Sequence, residues 1–110
     1  MKSALPQTIL SKAEQQAALF RIFGNPQRLL ILWLLEEGEH STTAIAEMLG
    51  LDPLNASHHL RILEFHKFIQ SRQEKGMKFY QLVDRESLLN CWIFANKPEV
   101  LLKEINSSNP

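Results

Sequence analysis

The segment 41–63 constrains the fold of this chain more than any other stretch. It reads STTAIAEMLGLDPLNASHHLRIL, which is a short amphipathic helix, a break at Gly50 and a second helix that opens on Asp52-Pro53. Two short helices joined by a tight turn form a helix-turn-helix, which presents a helix end to the major groove of DNA. The small and apolar residues expected where the two helices touch are Ile45, Ala46, Leu49, Leu51, Ala56, Leu60 and Leu63. The alternative is an ordinary αα-hairpin in a small helical protein.

Two more helices are predicted ahead of this motif. Residues 7–23 are mostly good helix formers, and Gly24 ends the run. Asn25 then restarts a helix as its N-cap, with Pro26 at the first position, where the missing N–H costs nothing. This second helix, residues 26–37, is apolar nearly all round, which predicts that it is the buried centre of the domain.

The helix-turn-helix itself is predicted over about 42–67. Thr42 or Thr43 can cap its first helix. Asp52 caps its second helix and Pro53 starts it. This second helix of the motif, the fourth of the chain, is about 21 Å long, which is enough to lie in a groove.

The pattern then changes to that of strands. Residues 68–83, FIQSRQEKGMKFYQLV, place strand formers on both sides of Lys75-Gly76, which predicts a two-stranded hairpin, or wing. An apolar fifth helix is expected over 85–95. This order of elements predicts a mainly α fold, a single winged helix-turn-helix domain over 1–110 with about five helices and a two-stranded hairpin.

Net charge is a mild argument against a nucleic-acid partner, since 12 Lys and Arg balance 12 Asp and Glu. The distribution of charge is more informative. Residues 56–80 hold five Lys or Arg against two Glu, whereas residues 36–52 hold five carboxylates and no Lys or Arg. Positive charge therefore lies on the fourth helix and the hairpin. A solvated face with scattered charges is the alternative.

Several classes of protein are not expected. No run approaches the ~20 apolar residues needed to span a bilayer, and the first residues lack the features of a secretory signal. The single Cys91 cannot form an internal disulfide, which fits a reducing cytoplasm, and a small apolar role suits it better than a redox switch. No nucleophile set or Gly-rich phosphate loop is present, so we expect neither an enzyme nor a bound cofactor.

Three motifs resemble those of the ArsR/SmtB family of bacterial and archaeal repressors. They are a P-x-R-L-x-I-L helix, an S-H-H-L-x-x-L recognition helix and a Gly-turned wing ending in Y-x-L. The matching residues are Pro26, Arg28, Leu29, Ile31, Leu32, Ser57, His58, His59, Leu60, Leu63, Gly76, Tyr80 and Leu82. The resemblance implies a DNA-binding regulator that forms a homodimer through its first and last helices.

The residues expected to contact DNA follow from this arrangement. The first turns of the fourth helix, which point at base edges in such motifs, hold Leu54, Asn55, Ser57 and His58. Asn55 can pair with adenine, and Ser57 can serve a base or a phosphate. Arg61 is better placed for a phosphate. His59 leans toward the core, which favours a structural role.

The hairpin adds Arg72, Lys75 and Lys78, which are expected to cluster at its tip and contact phosphates or the minor groove. The alternative is that these basic residues only make the hairpin turn soluble. Two segments depart from the family pattern. Residues 53–55 replace a Gln-Ser-Thr run, which puts direct base reading in doubt, and residues 65–67 replace an Ala-Gly helix end. Without that glycine, the chain must turn differently or Lys67 must adopt a strained conformation.

The resemblance implies dimerisation through helices at about 7–23 and 85–105. The apolar residues proposed for this interface are Leu19, Leu88, Leu89, Trp92 and Ile93. A two-fold dimer would place two recognition helices about 34 Å apart on one face of a duplex. The alternative is that Trp92 and Phe94 cap the core of a single chain.

Neither metal site of the family is expected here. Ser41 and Thr43 stand where a cysteine pair binds soft metals, and hydroxyls are poor ligands for such ions. The positions of the zinc site on the last helix hold Asp84, Glu86, Lys97 and Val100. A lysine there opposes a cation. His59 and His66 are two helical turns apart, too far to share one ion without a further ligand.

The sequence therefore predicts a cytoplasmic transcriptional regulator, a homodimeric repressor that binds an inverted repeat in double-stranded DNA. The first alternative is a winged-helix module that binds proteins and has lost strong DNA binding. The second alternative is a helical domain that needs no dimer. No residue pattern identifies an inducer.

Overall fold

The computed structural model describes residues 5–84 and the single positions 94, 97, 98, 101 and 105. In chain order the elements are α1 (Gln7–Phe23), α2 (Pro26–Glu36), β1 (His40–Ser41), α3 (Thr42–Leu49), α4 (Pro53–Phe65), β2 (Ile69–Glu74) and β3 (Met77–Leu82). The winged helix-turn-helix is confirmed, with four helices in the described ranges. The fifth predicted helix, 85–95, lies outside them except for position 94. No helix in these ranges is long and apolar enough to cross a bilayer.

The sheet has three strands rather than the two expected. Its order is β1-β3-β2, and both pairings are antiparallel. The additional strand β1 pairs His40 with Tyr80 and Ser41 with Phe79. Two residues are too few to show the alternation that marks a strand in sequence, so this element could not be recognised. Its pairing joins the wing to the start of α3.

Strand β1 also shifts the start of α3. Ser41, not Thr42 or Thr43, is the N-cap, and its hydroxyl accepts a hydrogen bond from the Ala44 N–H at 3.1 Å. The expected cap was wrong because the β1 pairing holds Ser41 in an extended conformation. The helix can therefore begin at the next residue.

The turn between α3 and α4 is short and closed by hydrogen bonds. Gly50 has φ 65, and the Leu51 N–H donates to the Ala46 carbonyl at 2.8 Å, which is the Schellman arrangement. The Asp52 carboxylate then accepts from two backbone N–H groups of the first turn of α4, at 3.0 and 3.3 Å. The predicted N-cap of α4 is confirmed, and the turn holds the two helices of the motif in a defined geometry.

The turn that follows α4 contains a lysine in the left-handed conformation. Lys67 has φ 65. The Phe68 N–H donates to the Leu63 carbonyl, and the Lys67 N–H to the Glu64 carbonyl, both at 3.0 Å. This is the geometry that glycine usually provides. Of the two outcomes expected for 65–67, the strained lysine is the one found. The helix itself ends at Phe65, two residues before the predicted end.

The wing turns at Lys75-Gly76, as predicted. Lys75 has φ 52 and Gly76 has φ 79, and the flanking Glu74 and Met77 pair across the hairpin. Two central residues with positive φ form a type I′ turn, whose twist matches that of the strands.

The core is built around α2, as its apolar sequence predicted. Ile31, Leu32 and Leu34 are completely buried. The buried apolar side chains packed together are Ile22, Ile31, Leu32, Leu34, Leu35, Ile45, Leu60, Leu63, Ile69, Tyr80, Leu82 and Leu101. Each of α2, α3, α4 and the sheet contributes to this cluster, so the recognition helix and the wing rest on one common core.

Candidate nucleic-acid interface

Helix α4 has one buried face and one exposed face. The buried side chains are Ala56, His59, Leu60 and Leu63. The exposed face carries Leu54, Asn55, His58, Arg61 and Phe65. Leu54 is 80% exposed, so the leading turn projects into solvent. A helix with this orientation can place its first turns in the major groove.

A groove with a volume of about 360 Å³ runs between α3 and the start of α4. Its lining residues are Thr42, Thr43, Ala46, Glu47, Leu51, Pro53 and Ser57. Ser57 is half-buried here, unlike its exposed neighbours Asn55 and His58. Thr42 and Thr43 both line the groove, and the hydroxyl of exposed Thr43 can donate to a phosphate oxygen. No DNA contact was expected of these threonines from the sequence, although their place at the start of the helix-turn-helix indicated that they lie near the recognition helix.

Thr42 also connects the wing to the helix-turn-helix. Its hydroxyl donates to the Lys78 carbonyl at 3.5 Å. Together with the pairing of β1 and β3, this contact gives the wing a second attachment to the start of α3. The hairpin is therefore positioned relative to α4 rather than projecting independently.

The guanidinium of Arg72 is held by two carboxylates of its own chain. Its Nε and Nη2 donate to the two Glu39 oxygens at 2.9 and 2.7 Å, and its Nη1 donates to Glu74 at 2.6 Å. The group also lies 4.8 Å from the centroid of the Phe79 ring. The hydrogen bond from Arg72 lowers the pKa of Glu39. The expectation that Arg72 clusters with Lys75 and Lys78 at the wing tip is corrected, because Glu39 and Glu74 hold its guanidinium.

Lys78 faces α4 rather than the wing tip. Its Nζ lies 3.8 Å from a Glu64 oxygen and 5.5 Å from the centroid of the Tyr80 ring. The other Glu64 oxygen accepts from the Ser71 hydroxyl at 2.7 Å. Lys78 thus lies beside the junction of the wing and the recognition helix, with its charge shared with Glu64.

Three cations close to α4 and the wing have no carboxylate partner within the part of the chain that the structure describes. They are Arg61, Lys67 and Lys75. Arg61 lies on the exposed face of α4, Lys67 follows the end of that helix, and Lys75 occupies the hairpin turn. All three are exposed, so these charges are available to phosphates.

His59 has the structural position expected of it. It is buried, and its Nδ1 accepts a hydrogen bond from the Arg28 Nε at 3.1 Å. Its Nε2 lies 2.6 Å from the Gln27 side-chain oxygen. Burial first, and then the charges of Arg28 and His58, lower the pKa of His59.

The residues proposed for a dimer interface are only partly described. Leu19 is half-buried and packs against the core of its own chain. Leu88, Leu89, Trp92 and Ile93 lie outside the described residues. Elsewhere on α1, Ile9 is 54% and Leu10 is 41% exposed.

Within the described residues, no group of three or more possible ligands could hold a metal ion. The Ser41 hydroxyl is engaged in capping α3. Lys97 is nearly buried, and its Nζ lies 2.7 Å from Glu37 and 3.3 Å from Glu36. The lysine that replaces a zinc ligand of the family therefore forms an ion pair with α2 and the residue after it.

These features define a class of protein, a winged helix-turn-helix domain with an exposed recognition helix. Residues 25–69 match the family model described as bacterial regulatory protein, arsR family. An uncharacterized HTH-type transcriptional regulator of Methanocaldococcus jannaschii is 38% identical over 76 residues, which cover 68% of this chain and 85% of that protein. The chain belongs to the ArsR family of DNA-binding transcriptional regulators.

Solved structures agree with this assignment. NolR from Sinorhizobium fredii is 27% identical with a TM-score of 0.72, covering 80% of this chain and 90% of that one. A homodimeric winged helix-turn-helix DNA-binding domain of a possible ArsR-family regulator from Mycobacterium bovis is 26% identical with a TM-score of 0.64, covering 77% and 79%. The predicted family and fold are confirmed, and the family is one of transcriptional regulators rather than enzymes.

Proposed function

We propose that this regulator is a homodimeric repressor that binds a short inverted repeat in double-stranded DNA. The observation that carries the proposal is the exposed leading turn of α4, supported by Arg61 and by Lys75 of the wing, two exposed cations with no carboxylate partner among the described residues. A dimer bound across a promoter hinders polymerase by occupancy alone, which requires no further surface. Such a protein acts where the chromosome lies, which is the cytoplasm in bacteria and archaea.

Distinct roles are proposed for the exposed residues of α4. Asn55 pairs with adenine, a contact worth about 1–3 kcal/mol of discrimination. Leu54 offers an apolar contact to a thymine methyl group. Ser57 and His58 contact bases or phosphates, and Arg61 contacts a phosphate. Because apolar Leu54 cannot form a hydrogen bond, part of the specificity is expected to come from DNA shape.

The homodimer is proposed from the exposure of α1 and from the symmetry of the target. Ile9 and Leu10 leave apolar surface on α1 that a second copy can cover. The related Mycobacterium bovis domain is described as homodimeric. Two recognition helices related by a two-fold axis match two half-sites of one duplex. Arg72 is left out of the proposed phosphate contacts because Glu39 and Glu74 already bind it.

Selection of bound fragments from the genome of the source organism tests this function. The proposal predicts an inverted repeat with half-site centres about 10 base pairs, or a multiple of this distance, apart. Two chains should bind each duplex. Asn55→Ala is expected to relax preference at one base position in each half-site, whereas Arg61→Ala weakens all duplexes evenly.

Failure of the protein to bind random duplex DNA even at about 50 mM salt would contradict the proposal, because nonspecific attraction to phosphates is strong at that salt concentration. That outcome would favour a protein-interaction module, for which exposed Leu54 and Phe65 on α4 would supply apolar surface. A monomer at micromolar concentration in light scattering would contradict the dimer.

A further inference from the structure

The contacts of His59 determine which form its imidazole takes. Arg28 can only donate, so the Nδ1 that faces it must carry a lone pair. The Gln27 oxygen can only accept, so the Nε2 that faces it must carry the hydrogen. Both contacts are satisfied by a single species, the neutral ring protonated on Nε2.

This ring links the recognition helix to the rest of the core. Gln27 and Arg28 lie in the first turn of α2, whose N-cap Asn25 accepts from both of their backbone N–H groups. Arg28 also donates through Nη1 to the Ile22 carbonyl at 3.3 Å, so the chain of contacts reaches the end of α1. Polar contacts have preferred directions, unlike the apolar packing around them, and they therefore fix how α4 is rotated and placed along its axis.

We propose that His59 is a positioning residue for DNA recognition, and that the Gln27–His59–Arg28 contact aligns α4 for specific reading only while the imidazole is neutral. The inference rests on the proposed function, since it concerns how Asn55 and His58 reach the bases. His59 itself lies on the buried face of α4, whereas Asn55 and His58 are exposed.

Protonation would break the contact at the Arg28 side. A proton on Nδ1 would turn an acceptor into a donor that faces a guanidinium of the same charge. The charged groups near the ring are Arg28 from α2 and His58 from α4, and neither is a carboxylate. From the end of α1, the Ile22 carbonyl is already engaged by Arg28. The Gln27 oxygen accepts from the Nε2–H in either form of the ring and does not offset the repulsion from Arg28, so acid is expected to loosen the alignment of α4.

The test compares affinity for the selected operator with affinity for random duplex, from pH 8 down to about pH 5. His59→Leu removes both polar contacts, and Gln27→Ala removes one of them with less disturbance of the core. We expect the ratio of operator to random affinity to fall about thirtyfold or more for His59→Leu, the equivalent of one lost base contact in each half-site of the dimer. The Gln27→Ala variant should lie between His59→Leu and wild type, and random affinity should change little.

The pH profile separates positioning from a loss of stability. The ratio should fall with acid in the wild type and in a control variant, His66→Leu, which changes an exposed histidine beyond α4. It should fall clearly less for His59→Leu, in which the exposed His58 of the recognition face is still present. Equal losses on operator and random duplex, or the same profile in wild type and His59→Leu, would overturn the inference. A wild type that binds neither duplex would instead overturn the proposed function.

One measurement on the free protein is independent of DNA. Long-range ¹H–¹⁵N spectra of the imidazoles report which ring nitrogen carries the hydrogen. At neutral pH the inference requires His59 to be neutral with the hydrogen on Nε2. A charged ring, or a hydrogen on Nδ1, would refute it even if no operator were found.

Discussion

Arg61 and Arg72 carry the same charge, but the structure predicts that replacement by alanine weakens DNA binding for Arg61 and leaves it nearly unchanged for Arg72. Arg61 lies exposed on α4 with no carboxylate partner among the described residues. Arg72 is bound by Glu39 through two hydrogen bonds and by Glu74 through a third. The two substitutions form a matched pair in which net charge changes equally, so a difference between them reports local geometry.

The magnitude follows from the release of counterions. Each phosphate contact contributes about 0.9 to the slope of log K against log salt, so Arg61→Ala lowers the slope by about 1.8 for a dimer. When salt rises from about 50 to about 200 mM, the factor by which the variant loses affinity should be about ten times smaller than the factor for the wild type. Arg72→Ala should leave the slope nearly unchanged, because its charge is already paired.

Fluorescence anisotropy with a labelled duplex, repeated over this range of salt, measures the slope directly. Lys75→Ala serves as a second member of the Arg61 class, since Lys75 in the wing turn is also unpaired among the described residues. If Arg72→Ala lowers the slope as much as Arg61→Ala, the carboxylates release Arg72 on binding. The assignment of free and compensated cations would then be wrong.

Other predictions concern stability and are checked by urea and thermal unfolding. Lys67→Gly should stabilise the fold by about 1 kcal/mol, because a left-handed conformation strains any residue with a Cβ, and an unchanged midpoint would contradict this. Leu60→Ala should cost about 2–5 kcal/mol, since the side chain is completely buried. Lys97→Ala should cost up to about 3 kcal/mol because it removes a nearly buried ammonium group from its contacts with Glu36 and Glu37, and a neutral effect would show that the ion pair is dispensable. Burial lowers the pKa of both His40 and His59 from the ordinary value of 6.5. Below that pH the unfolded chain therefore binds more protons than the folded one, and the free energy of unfolding should fall as the pH drops below about 6.5. A free energy of unfolding that does not change over this range would contradict the prediction.

Much of the fold was readable because local signals and the global pattern agree. Asn25 and Asp52 cap helices where side-chain chemistry predicted, and Lys75-Gly76 forms the expected turn. Each of these signals acts over a few residues, so the sequence around it is sufficient. The apolar run of α2 likewise indicated burial without indicating its partners.

The features that could not be predicted depend on residues far apart in the chain. Strand β1 exists because His40 and Ser41 meet β3, about forty residues later, and a two-residue strand has no pattern of its own. Arg72 was expected at the wing tip because Glu39 is 33 positions away and nothing local indicates that the two meet. Strain at Lys67 was anticipated only as one of two outcomes.

The residues of the candidate site also divide into those that local sequence predicts and those that depend on contacts between distant parts of the chain. The exposed positions of α4 follow from helical periodicity, so Leu54, Asn55, His58 and Arg61 lie where expected. Which cations are paired depends on tertiary contacts, and Arg72 is paired with Glu39 and Glu74.

The most direct test of the central claim is to map the DNA contact on the protein by NMR. Amide shifts of ¹⁵N-labelled protein would be followed while the selected operator duplex is added. We expect the largest shift changes in the leading turns of α4, residues 53–61, and at the wing turn, residues 74–77, with small changes on the exposed part of α1. Large changes on α1 with α4 and the wing turn unaffected would contradict DNA binding through the recognition helix.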